Sequence, residues 1–189
     1  EGGGPWLAAA PGFAVVLLNA YPEAGSAPAG QRSRGLLVLD LAECPTAAEA
    51  FNRLAREDLK AYAPFYLLLC KPDSVSGFLW DGSKLSFPRF KDCFWTTSSI
   101  ESEAVVAWRR ANWERTAGRL GDDPERAADL LRQTNPEQPA YGTAMNRPDA
   151  RTVSQVLLIL GVDGFVFTYR AREPHGPGFE APVTLRVSS

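Results

Sequence analysis

Four short polar groups in this chain combine residue types that can handle a carbonyl or a carboxylate. Asn19 ends the apolar run Phe13 to Leu18, where a side-chain amide can face a cleft. Thr97, Ser98 and Ser99 precede a helical stretch, so their hydroxyls and the free amides of a first helical turn can meet the anionic end of a ligand. Arg151 stands before the long apolar run Val153 to Leu160 and can hold a carboxylate through charge-assisted hydrogen bonds. Arg34 opens another helical stretch beside Gly35. Each has a plainer reading. Asn19 before Tyr21-Pro22 forms turns. Ser98 or Ser99 caps a helix, with Glu101 near its positive end. Arg151 pairs with Asp149 on the surface. Arg34 bridges helix start to loop.

The elements that must position these groups follow from pattern. Trp6 to Ala9 and Phe13 to Asn19 read as strands around a turn at Pro11-Gly12. Residues 21–32 are rich in Pro, Gly, Ala and Ser and read as a surface loop. Ser33 is placed to cap a helix over Leu36 to Ala42, and Thr46 with Glu49 forms a capping box for the next. In that second helix Ala47, Ala50, Phe51 and Leu54 share one face. Phe65 to Cys70 is a continuous apolar run suited to a strand buried on both faces. A hairpin is expected around Asp81-Gly82, from Gly77 to Phe87. Phe94 to Thr97, Ala140 to Met145, Val153 to Leu160 and Gly164 to Tyr169 read as strands. Helices are expected over Ile100 to Leu120 and Pro124 to Gln133. Trp108 and Trp113 supply apolar surface on the first of these, and Arg109 with Arg110 reads as its solvated face. This inventory fits a layered α+β protein.

Composition limits the function classes. The 189 residues suit one domain, 1–189, with an irregular Pro- and Gly-rich tail over 173–189. The 45% apolar and 11% aromatic content is enough for a packed core. A net charge of −2 with no basic stripe argues against nucleic acid as partner. No apolar stretch approaches the roughly 20 residues of a spanning helix. Cys44, Cys70 and Cys93 form no Cys-x-x-Cys pair, and His175 sits among Pro and Gly. That leaves no four-ligand zinc set, so no metal and no cofactor are expected, and free thiols point to the cytoplasm.

The order of the small motifs carries more than any one of them. Gly-Gly-Gly-Pro-Trp (Gly2 to Trp6), Leu-Leu-Asn ending at Asn19, Ser-Arg-Gly (Ser33 to Gly35), Trp-Asp-Gly (Trp80 to Gly82), Thr-Thr-Ser-Ser (Thr96 to Ser99) and the run Asn146 to Ser154 follow one another. This series resembles the Asn-Arg-Asp-Glu (NRDE) family, also called the transport and Golgi organisation 2 family. The likeness runs from about Glu1 to Ser154 and more loosely to Tyr169. It implies a four-layer αββα sandwich like that of N-terminal-nucleophile hydrolases. In such enzymes the first residue attacks an amide carbonyl and its own α-amine is the base. The resemblance implies that Asn19 donates to the oxyanion, and that Arg151 and Thr152, like the family's Thr-Arg-Thr, serve the site. Arg34 and Thr97 to Ser99 match further family positions.

The chain departs from the family at Pro5 and Tyr66, and neither the N-terminal Cys nor the Asn-Arg-Asp-Glu tetrad occurs in it. Glu1 is no nucleophile, so the resemblance places the thiol and a first strand upstream. A sheet edge near residues 6–9 and 13–19 would then be open, and the chain would tend to form a homo-oligomer. Two activities remain open: an amidohydrolase acting on small non-peptide C–N bonds, and a small-molecule carrier, for haem or acyl lipids, on the same scaffold.

Overall fold

The computed structural model describes residues 5–21, 32–88, 94–117, 123–161, 163–176 and 178–188. Most of the Gly-rich opening (Gly2 to Gly4), most of the loop at 21–32, Cys93 and the end of the long helix (118–120) lie outside these residues. The described chain is a mixed α+β structure with two antiparallel sheets and four helices. It divides into two compact units: Glu1–Cys93 with Leu160–Phe165 and Val187–Ser189, and Phe94–Ile159 with Val166–Arg186.

The first unit is built on a five-stranded sheet in chain order: β1 (Leu7–Ala10), β2 (Phe13–Asn19), β3 (Phe65–Lys71), β4 (Ser74–Trp80) and β5 (Leu85–Ser86). Gly12, at φ 80°, makes the β1–β2 turn that Pro11-Gly12 announced. β3 is central, pairing Leu67 with Leu17 on one side and Phe78 on the other. Alternation puts Phe13, Val15, Leu17, Phe65, Leu67, Phe78 and Trp80 on one face. There they pack with Leu37, Val38 and Leu41 of α1 (Arg34–Ala42) and with Ala50 and Leu54 of α2 (Ala47–Leu54). The opposite face is apolar too: Ala14, Val16, Leu18 and Leu68 lie on it. Among the described residues β1 is an edge of this sheet, as expected near residues 6–9, while β2 is paired on both sides, so the open edge expected near 13–19 is not there.

The helix starts show how local chemistry sets the frame. Thr46 Oγ1 accepts from the Glu49 amide at 3.2 Å, as the box pattern requires. Ser33 makes no side-chain cap. The first turn of α1 uses its backbone instead, the Leu36 N–H donating to the Ser33 carbonyl at 3.1 Å. Asp81 holds the β4–β5 turn by accepting from the Ser83 and Lys84 amides, each at 2.7 Å.

The second unit contains α3 (Ser102–Ala117), α4 (Pro124–Leu131) and most of the three-stranded sheet β6 (Ser154–Gly161), β7 (Gly164–Ala171), β8 (Val183–Ser188). β8 corrects the expectation of an irregular tail over 173–189. The alternation Val183, Leu185, Val187 makes a strand that the Pro and Gly content upstream had masked. Gly164, at φ 136°, passes so close to the Val187 carbonyl that a side chain there would collide with it.

Two expected strands do not form. Phe94 to Thr97 and Ala140 to Met145 join no ladder. Five of their acceptors go to one side chain instead. Arg109 donates to Thr96 Oγ1 (3.0 Å) and to the carbonyls of Thr97 (3.0 Å), Ala140 (2.7 Å), Tyr141 (3.2 Å) and Gly142 (3.0 Å). A guanidinium does here what a neighbouring strand does elsewhere.

Candidate functional site

The end of β2 gathers the most reactive-looking polar groups of the first unit. Asn19 is the last residue of the strand, and by alternation it lies on the helix-covered face with Val15 and Leu17. Its Nδ2 donates to the Tyr21 hydroxyl at 3.2 Å. Its Oδ1 is buried and has no hydrogen-bond partner. A stranded buried acceptor of this kind costs about 1–3 kcal/mol. Turning the amide over would let Oδ1 accept from the Tyr21 O–H and leave the NH2 as the unpartnered group. In either orientation Asn19 keeps one polar atom for something else.

Arg34 reaches the same place from the start of α1. Its Nη1 donates to the Pro64 carbonyl at 2.8 Å, the oxygen that also accepts from the Ala20 amide at 3.1 Å. Its guanidinium lies over the Trp6 ring, 5.8 Å from the centroid. Burial lowers the Arg34 pKa, and the neighbouring Tyr21 opposes that shift. The bridging role foreseen for Arg34 is therefore present, and it brings a cation near Tyr21, the hydrogen-bond partner of Asn19. Asn19, Tyr21 and Arg34 form a small donor-rich corner with Trp6 as its apolar wall. Tyr21 and Trp6 were not recognised in advance. The available signal was spacing, because residues two apart in extended chain share a face, and Tyr21 follows Asn19 by two.

The other expected site residues lie in the second unit, and their surroundings differ from expectation. Ser98 is buried, and its Oγ donates to the Ile100 carbonyl at 2.6 Å and accepts from the Ile100 amide at 3.3 Å. Neither Ser98 nor Ser99 caps α3. Glu101, at φ 45°, takes that place: its carbonyl accepts from the Val105 amide at 2.9 Å and its carboxylate from the Tyr141 hydroxyl at 3.0 Å. The Thr97 carbonyl serves Arg109. Arg151 is exposed and donates to the Pro174 carbonyl at 2.8 Å. It does not pair with Asp149, whose carboxylate takes both arms of Arg147, at 3.0 and 2.8 Å. The Thr152 amide donates to the Met145 carbonyl at 2.9 Å, and its own carbonyl accepts from Arg172 at 3.4 Å.

Arg109 is the main correction on α3. It is 7% exposed rather than solvated, and burial lowers its pKa. Val105 supplied the missed signal: a residue four further along a helix shares its face.

The remaining candidates for chemistry are quiet. Cys44 is buried, with its thiol directed at the Asp40 carbonyl, 3.7 Å away. Burial pushes the Cys70 thiol pKa up, the reverse of an activated thiolate. Among the described residues no group of three or more His, Cys, Asp or Glu side chains is placed to hold a metal ion. No helix among them is long and apolar enough to cross a membrane. In comparisons with known proteins, no family model matches this chain and no curated protein matches it.

Proposed function

We propose that this chain is an NRDE-type domain of αββα architecture, and that the Asn19 corner receives the carbonyl oxygen of a small amide for hydrolysis of a non-peptide C–N bond. The observation that carries the reading is the Asn19 side chain: half-buried at a strand end, with one of its two polar atoms unpartnered, which is the NH2 donor when the amide is turned so that Oδ1 accepts from the Tyr21 hydroxyl. An amide donor aimed where negative charge develops is worth about 2.7–4 kcal/mol to such a reaction. Arg34, close by, adds a cation that favours the same charge. The apolar second face of the five-stranded sheet supports the layered architecture, since such a face needs a further layer over it. Thr97 to Ser99, Arg151 and Thr152 enter this proposal through the family resemblance alone.

Binding without cleavage is the second reading. It is favoured by the contacts of the corner, Tyr21, Pro64 and Trp6, none of which is a thiol or an N-terminal residue with a free α-amine. One experiment separates the two. Amine release from small N-acyl amides and calorimetric binding of the same compounds are measured in the full-length natural protein, with and without Asn19→Ala. The hydrolase reading expects turnover that falls about 100-fold or more in the variant while folding is retained. Binding lost in the variant without turnover in either form identifies a carrier. A variant that matches the natural protein in both assays removes Asn19 from any site.

A further inference from the structure

A second concavity lies in the first unit, beside α2. Between the first turns of α2 and the strands β3 and β4 lies a groove of about 620 Å³. That volume is within the roughly 300–1,000 Å³ of small-molecule sites. Its wall on the α2 side is low because Ala47 and Ala48 carry single methyl groups. Phe51, Phe78 and Phe87 form an aromatic cluster along it. Ring centroids are 5.7 Å apart for Phe51–Phe78, 5.4 Å for Phe78–Phe87 and 6.3 Å for Phe51–Phe87. Phe78 is buried, whereas Phe51 and Phe87 remain 40% and 59% exposed. Two partly uncovered phenyl rings flanking a concavity offer a ligand ring the offset or edge-on contacts that aromatic pairs prefer.

The electrostatics of the lining narrow the ligand further. Among the described residues Lys71 is the one charged residue that lines the groove, and Asn52 and Ser76 add neutral polar groups. The Lys71 ammonium does have a carboxylate partner, Asp73, at 3.5 Å, but Asp73 is 78% exposed and outside the lining. Exposed pairs of this kind hold weakly. A cationic ligand is disfavoured by Lys71. It also lacks a cage, because the three rings pack on one another rather than around a gap. We infer that this groove is a binding site for a small planar aromatic molecule that carries an anionic group, its ring against Phe51 and Phe87 and its anion at Lys71. The inference does not depend on the Asn19 corner.

The test uses two fluorescent probes, anilinonaphthalene sulfonate, which is aromatic and anionic, and N-phenylnaphthylamine, its neutral counterpart. They are titrated against the whole protein and the variants Lys71→Gln and Ala48→Trp, with folding checked by circular dichroism and thermal unfolding. Ala48→Trp fills the groove from an exposed position and removes no core side chain. Both probes should weaken about tenfold or more in it. Lys71→Gln should weaken the sulfonate about fivefold or more and leave the neutral probe within about twofold, as loss of one charge pair predicts. Unchanged binding in Ala48→Trp would place the probes elsewhere and overturn the site. Equal effects of Lys71→Gln on both probes would overturn the anionic assignment. Probe-insensitive protein whose self-association changes in Ala48→Trp would show that a second copy, and not a small ligand, occupies the groove.

Discussion

Replacing Arg109 by Met tests whether one side chain substitutes for strand pairing in the second unit. The variant keeps most of the aliphatic volume and removes all five hydrogen bonds from the guanidinium. The acceptors at Thr96, Thr97, Ala140, Tyr141 and Gly142 then need other donors. Each acceptor left buried costs about 1–3 kcal/mol, and the bond to Gly142 is fully buried. The others are partly accessible, so water recovers some of them. Relief of the guanidinium's own desolvation, visible in its lowered pKa, offsets a further part. The balance is a destabilisation of about 3–4 kcal/mol. For a chain of this size that lowers the melting temperature by roughly 6–16 °C. Urea unfolding followed by tryptophan fluorescence reads it directly. Trp113 stacks on Phe94 at 5.0 Å and Trp108 meets Tyr141 edge-on at 5.9 Å, so both indoles report on the segments Arg109 holds. A loss below about 1 kcal/mol would mean that water or neighbouring groups satisfy these carbonyls unaided. The idea that Arg109 takes the place of a strand would then be wrong.

Three further outcomes are expected. Leu67→Ala, at a fully buried position of the central strand, should cost about 2–5 kcal/mol in urea unfolding, and a cost near zero would contradict the core assignment. Trp80→Phe removes the indole N–H that donates to the Tyr62 carbonyl at 3.1 Å and should cost about 1–3 kcal/mol; an unchanged midpoint would show that bond to be dispensable. Asp81 is held below the usual aspartate range by the backbone N–H groups of Lys84 and Ser83 and by the Ser83 hydroxyl. Its contribution is therefore present above the unfolded-state value and lost as pH falls through the depressed folded value. Amide exchange at Ser83 and Lys84 should accelerate in that acid window, and Asp81→Asn should show the faster exchange already at neutral pH; protection that ignores both changes would refute the carboxylate's role.

Where the sequence signalled structure, it did so through local rules that tertiary contacts happened not to override. Pro11-Gly12, the Thr46–Glu49 box, Asp81-Gly82 and the apolar run at Phe65 each specify their element with neighbours a few residues away. Phe94 to Thr97 and Ala140 to Met145 have the composition of strands, but their hydrogen bonds are decided by Arg109, which is distant from the second segment and silent in any window around it. Ser33 has the right residue type for a cap, yet the first turn of α1 uses its backbone carbonyl rather than its hydroxyl. The corner at Asn19 was half legible. The strand-end amide could be read, whereas Arg34 and Trp6 meet there only because α1 and β1 fold back onto β2. The aromatic groove was not legible at all, since it depends on how the first turns of α2 lie beside the sheet.

The central position of β3 has a bearing on how this chain survives its own synthesis. Phe65 to Cys70 is six uncharged, apolar or aromatic residues without Pro or Gly, the type of segment that joins copies of itself into cross-β aggregates when exposed. Pro64 stands at one end and Lys71 at the other, a strand breaker and a charge that limit how far such pairing can spread. Order of emergence adds a second safeguard. β1, β2, α1 and α2 all precede β3 in the chain, so when this segment leaves the ribosome its intramolecular partner β2 and the helices that cover one face already exist. β4 follows three residues after β3 and closes the remaining side. The most adhesive stretch of the protein thus spends little time without a neighbour, and the burden on chaperones falls on the period between the appearance of Phe65 and that of Trp80.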